Sequence, residues 1–165
     1  MQSAQVTLVI ACFHDVRQMR YRLGCANRGS DMHVPNGAIY KADFVDVAEE
    51  AALVDWLDRC VWDSSLKRRV QHFGHRYDYK ARVVLPEAYL GPLPAPLVVI
   101  AQRLVDKGYF ANLPDQVIAN EYQPGQGISA HTDCVPCFGD TIVSVSLLSQ
   151  CEMVFAEKAG ISNQV

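Results

Sequence analysis

No apolar run in this 165-residue sequence is long enough to span a bilayer. The apolar run nearest the start, Val6–Phe13, has eight residues and no Lys or Arg before it, which argues against a signal peptide. A disulfide framework is also missing. The six cysteines, at 12, 25, 60, 134, 137 and 151, are scattered, as fits a reducing cytoplasm better than secretion. There is no surplus of basic charge either. Fifteen Lys and Arg stand against eighteen Asp and Glu, so bulk charge does not announce a nucleic-acid binder. Internal repeats and low-complexity segments are absent. What remains is one domain, half hydrophobic and large enough for a core.

The informative stretch runs from Val117 to Phe155. Ile118, Asn120 and Tyr122 alternate onto one face of a predicted strand. Pro124-Gly125-Gln126-Gly127 turns the chain. His131-Thr132-Asp133 follows, then a second apolar run, Thr141–Leu148. In extended backbone, residues two apart point the same way, so His131 and Asp133 present an imidazole and a carboxylate side by side. One more His would complete a two-His, one-carboxylate site of the kind that holds Fe(II) with open positions. On its own an H-x-D pair is a weak signal.

Upstream, Asp46–Trp62 reads as a helix. Asp46 is its N-cap, Glu49 completes a capping box, and Val47, Ala51, Val54, Leu57 and Val61 form its apolar face. Ala95–Lys107 reads as a second helix, with Leu97, Ile100, Ala101 and Leu104 on one side and Gly108 as its stop. Between them, Pro86–Pro96 is loop. Lys67–Arg82 is crowded with bases and rings. That composition fits contact with phosphates and exposed bases, and it equally fits a solvated hairpin with core tyrosines. Residues 1–36 stay unassigned. Val6–Phe13 is a candidate buried strand, and Arg17–Pro35 reads as loop.

The words N-E-Y-x-P-G-x-G-I-x-x-H-x-D (Asn120–Asp133) and I-V-S-V-S-L (Ile142–Leu147) resemble the AlkB family of Fe(II)- and 2-oxoglutarate-dependent dioxygenases. The word R-R-V-Q-H-F-G-H-R-Y-D-Y (Arg68–Tyr79) is similar to the branch with the tRNA wobble-uridine hydroxylases. The resemblance covers roughly Ile39–Phe155 and assigns 37–165 as a partial AlkB-like domain. It implies an α+β fold: a double-stranded β-helix (jelly-roll) core buttressed by the two helices. By the same resemblance, His131 and Asp133 are metal ligands, and Asn120 and Tyr122 hold 2-oxoglutarate. Arg69, His72, Arg76, Tyr77 and Tyr79 belong to a lid over the substrate. The implied activity is hydroxylation or oxidative demethylation of a modified base in RNA or DNA, with a methylated protein side chain as a further substrate class and no membrane partner.

The sequence departs from the family in one respect. The family uses a downstream His as third ligand and a downstream Arg for the far carboxylate of 2-oxoglutarate, and after Asp133 this chain has neither. The expectation is therefore a jelly roll incomplete at its C-terminus, with Ala156–Val165 adding no strand, and a 165-residue chain that is itself inactive. Two alternatives follow. One is a catalytically inactive fragment that binds nucleic acid or protein. The other is a small zinc site using Cys134 and Cys137 beside His131 and Asp133.

Overall fold

The structure is a computed structural model that describes residues 5–11, 20–24, 37–134, 137–149 and 152–155. The chain forms strands β1 (Gln5–Ala11) and β2 (Arg20–Gly24), helix α1 (Val47–Arg59), strand β3 (Arg69–Phe73), helix α2 (Ala95–Asp106), and strands β4 (Gln116–Tyr122), β5 (His131–Thr132), β6 (Ile142–Leu148) and β7 (Glu152–Phe155). Every strand pairing is antiparallel. One sheet has the order β3-β4-β1-β6 and the other β5-β2-β7. Two sheets with helices against one of them match the predicted α+β arrangement in its coarse form. Among the described residues the sheets do not close into a barrel.

Helix α1 begins where the sequence places it. The Asp46 carboxylate accepts from the Glu49 N–H at 2.8 Å, and the Glu49 side chain accepts from the Asp46 N–H at 3.1 Å, so two otherwise orphaned donors are satisfied. The helix stops at Arg59, short of the expected Trp62. Its buried stripe is also rotated from the expected one. Leu53 and Leu57 are buried, whereas Val47, the first helical residue, and Val61, beyond the helix end, are exposed. Helix α2 buries Leu97, Ile100, Ala101 and Leu104 as the pattern predicts, and Gly108 follows with φ +75.

Both helices cover the same face of the larger sheet. Leu53, Leu57, Leu97, Ile100 and Leu104 share one core with Leu8, Val117, Ala119, Val145 and Leu147. Because side chains alternate along a strand, the other face of β4 carries Ile118, Asn120 and Tyr122. Burying the first face against the helices thus fixes the direction of the second.

The strand expected near Val6 is present as Gln5–Ala11, and it lies centrally, paired with β4 on one side and β6 on the other. The loop expected over Arg17–Pro35 is corrected at Arg20–Gly24. These residues form β2, which joins β5 to β7. Their R-Y-R-L-G run does alternate polar and apolar residues, but it is only five residues long and sits among charge, glycine and proline, and the pairing partners supply the order. The remainder of that expected loop, and the expectation for Ala156–Val165, lie outside the described residues.

Candidate metal and co-substrate site

Strand β5 carries His131, with Asp133 immediately after it. Both side chains are half-buried, and Nε2 of His131 stands 3.4 Å from Oδ1 of Asp133. On the other side of the ring, Nδ1 lies 2.8 Å from the carbonyl oxygen of Ser129. A carbonyl oxygen only accepts, so Nδ1 carries the proton and Nε2 presents a lone pair toward a carboxylate. Two acceptors at that distance require a positive centre between them. Without a metal ion, that centre is a second ring proton. The Asp133 carboxylate, and after it the Ser129 carbonyl, push the His131 imidazole above its ordinary range, against the opposing effect of burial. A divalent ion can take the place of that proton, and a backbone carbonyl holding the other ring nitrogen is the usual support for a ligating His.

The donor set thus fits two corners of a facial site. Among the described residues no group of three or more His, Cys, Asp or Glu side chains gathers to hold a metal. The zinc alternative is not supported. Cys134 and Cys137 are buried and joined by a disulfide, so neither offers a thiolate.

Asn120 and Tyr122 are both buried, on the face of β4 turned away from the helices. Asn120 Oδ1 accepts from Nε of Arg68 at 2.8 Å. The Arg68 guanidinium lies 6.0 Å from the centre of the Tyr122 ring and 5.4 Å from that of Tyr79. Tyr79 in turn stands 5.6 Å from the His72 ring and edge-on to Tyr77 at 5.1 Å. His72 is half-buried and driven down to about 4, mainly by desolvation and then by the nearby Arg76 charge, so it is neutral near pH 7.

Of the residues expected at the substrate lid, His72, Tyr77 and Tyr79 therefore come together and reach Asn120 and Tyr122 through Arg68. Arg76 is exposed at the rim. Arg69 goes elsewhere. It makes a two-pronged pair with Glu121, at 2.5 and 2.6 Å, and lies 5.0 Å over Trp62, on the helix-facing side of the sheet. Sequence reasoning passed over Arg68. The signal was available, because in an extended R-R-V-Q-H-F segment residues 68, 70 and 72 share one face and 69, 71 and 73 the other. Gln71 bonding to the Leu57 carbonyl of α1 at 2.8 Å, and Phe73 packing on Trp56, mark the second set as core-facing.

A further residue missed is Arg82, whose Nη2 donates to the Thr132 carbonyl at 2.8 Å. It ties the segment bearing Tyr77 and Tyr79 to the strand bearing His131. The turn between them is held by Asp78, which accepts from the Lys80 and Ala81 N–H groups at 2.8 Å each.

The chain belongs to the 2OG-Fe(II) oxygenase superfamily, which residues 45–164 match. Within it, the AlkB-like resemblance is borne out. The chain is 38% identical over 131 residues to the "Alkylated DNA repair protein ALKBH8 homolog" of Arabidopsis thaliana, covering 76% of this chain and 38% of that protein. It is 36% identical over 140 residues to the mouse "tRNA (carboxymethyluridine(34)-5-O)-methyltransferase ALKBH8", covering 80% of this chain and 21% of that protein. It is 31% identical over 120 residues to the human "Alpha-ketoglutarate-dependent dioxygenase alkB homolog 4", covering 68% of this chain and 38% of that protein. The chain thus spans well under half of each of these relatives. No solved structure matches it. Among the described residues no helix is long and apolar enough to cross a membrane.

Proposed function

We propose that this chain is the oxygenase unit of an Fe(II)- and 2-oxoglutarate-dependent enzyme that oxidises a modified base in nucleic acid. The observation that carries the reading is the His131–Asp133 pair, with Nε2 of the ring and a carboxylate facing each other at 3.4 Å and Nδ1 held by the Ser129 carbonyl. His131 and Asp133 would hold the iron, and Asn120 and Tyr122 would hold 2-oxoglutarate. When bound, the iron and 2-oxoglutarate would supply oxidation of a C–H bond by O2, coupled to decarboxylation of 2-oxoglutarate to succinate and CO2.

The protein's own share is positioning. Nδ1–H of His131 donates to the Ser129 carbonyl, which leaves Nε2 as the nitrogen that would meet the metal once the ion displaces its proton. Tyr77, Tyr79 and neutral His72 form a ring-lined wall on which an unstacked base can lie, and exposed Arg76 can meet a phosphate. A nucleic-acid substrate is supported by the names of the relatives, which speak of alkylated DNA and of a tRNA uridine. The methyl transfer in one of those names is not carried over, since the match covers about a fifth of that protein. A cytoplasmic location, and a methylated protein side chain as a further substrate class, belong to the same proposal.

A second reading is a domain that binds nucleic acid without turnover. It is favoured by the presence of only two of three metal donors among the described residues. Succinate assay separates the two. Purified protein incubated with Fe(II), 2-oxoglutarate, O2 and bulk tRNA should release succinate in a tRNA-stimulated manner, and His131→Ala should abolish it. RNA binding with no succinate above the His131→Ala background favours the second reading.

A further inference from the structure

We propose that Cys134 and Cys137 form a thiol–disulfide switch that sets how firmly the Tyr77–Arg82 hairpin is held against the strand bearing His131. Cys134 follows Asp133 directly, its α-carbon lies 5.2 Å from that of Cys137, and a disulfide joins the two. The Cys137 N–H donates to the Cys134 carbonyl at 2.9 Å, so a backbone hydrogen bond, independent of the sulfurs, keeps the pair together in either oxidation state. A bond that closes so short a loop removes little chain entropy, so its value as a staple is small. In a reducing compartment such a pair is exchanged rather than permanent.

What the pair touches makes its oxidation state matter. Both sulfurs lie against one atom, the Arg82 carbonyl oxygen, at 3.1 Å from Cys134 and 3.6 Å from Cys137. A thiol donates to that oxygen, whereas a disulfide sulfur carries no proton to donate. Arg82 also reaches back with Nη2 to the Thr132 carbonyl, and its backbone sits at φ +53, which a non-glycine residue adopts at a cost. The turn therefore depends on the contacts Arg82 makes at both ends. Around the sulfurs, Val84, Phe138 and Tyr77 complete an apolar cluster, with the Tyr77 ring 5.7 Å from that of Phe138. Reduction by a thiol such as glutathione breaks the S–S bond and passes two electrons and two protons to the cysteines, while two thiols of the reductant join as its own disulfide. The cysteine thiols then hold the Arg82 carbonyl, and reoxidation releases it. The consequence for substrate, a wall of Tyr77 and Tyr79 that loosens on oxidation, rests on the function proposed above; the switch itself does not.

Trypsin reads the hairpin directly, because Lys80 and Arg82 are exposed. Purified protein is brought to equilibrium in reduced or in oxidised glutathione. Mass spectrometry of the alkylated peptide gives the state of Cys134 and Cys137, and the initial rate of cleavage after Lys80 and Arg82 is measured. The oxidised protein should be cut about two- to fivefold faster, as for loss of one weak hydrogen bond from a turn that opens locally. Cleavage after Arg59, the last residue of α1, should not change. Cys137→Ser keeps a donor at each position but cannot form the bond. Free of glutathione adducts, it should be cut at the reduced wild-type rate in both buffers, and Cys134→Ser carries the test if Cys137→Ser does not fold. A cleavage rate that ignores the oxidation state, or a faster cut in the reduced protein, would overturn the inference. So would a pair that stays reduced in oxidised glutathione, or a serine variant that still responds to it. None of these outcomes bears on the oxygenase reading, which the succinate assay tests separately.

Discussion

Gly74 is the residue at which one added methyl group would do most damage. A Cβ there would lie 1.7 Å from the Asp115 carbonyl oxygen and 2.8 Å from its carbon, and the backbone sits at φ +77, where only glycine is unstrained. The close approach lets the chain leave β3 and cross toward the segment bearing Tyr77 and Tyr79. Gly74→Ala should cost about 3 kcal/mol or more by combining overpacking with backbone strain, read as a lowered urea midpoint. A midpoint within error of wild type would show that Asp115 can move aside. Glycine at 74 is visible in the sequence, but the carbonyl it must clear is forty-one positions away and is not. The same limit explains Arg68 and Arg69. Their alternation is local and legible, yet which face meets the helices depends on Leu57 and Glu121. Asn120 and Tyr122 were legible as one face because four residues of context decide it. His131 and Asp133 were legible as a side-by-side pair for the same reason.

Among the elements, α1 shows how a local signal becomes a tertiary one. Glu49 closes the capping box and also pairs with Arg103 of α2, which reaches on to the Phe44 carbonyl at 2.9 Å. The Arg103 hydrogen bond, and then the Asp46 backbone N–H, hold the Glu49 carboxyl down from its ordinary 4.5 to about 2. A carboxyl lowered on folding adds stability above its unfolded value, and that stability is lost as pH falls through the folded one. Wild type should therefore lose stability between about pH 4.5 and 2 by this route. Glu49→Gln should flatten that limb and lower stability at neutral pH. Parallel acid-unfolding curves for the two proteins would contradict the assignment. The capping box was legible because its partners lie three residues apart. The buried stripe of α1 was not, because Val47 and Val61 satisfy the period, yet Val47 is exposed in the first turn and Val61 falls beyond the last helical residue.

At the scale of the molecule, residues far apart in sequence share one sheet. β1, from the first residues, lies between β4 and β6, and β2 lies between β5 and β7. Neither strand falls within the family match, which begins at residue 45. Pairing across more than a hundred residues leaves no local pattern, so Val6–Phe13 was legible as a strand but not as a central one, and the short alternation of Arg20–Gly24 does not stand out from the charge and glycine around it. The site inherits this arrangement, since β5, which carries His131, is paired to β2. The central claim is that metal and 2-oxoglutarate meet at His131, Asp133, Asn120 and Tyr122. Titration of the purified protein with Co(II), followed by its visible absorption, tests this most directly. Wild type should take up Co(II) with a protein-dependent spectrum that changes again when 2-oxoglutarate is added, and His131→Ala should lose both responses. A spectrum that survives His131→Ala unchanged, or that ignores 2-oxoglutarate in the wild type, would contradict the account.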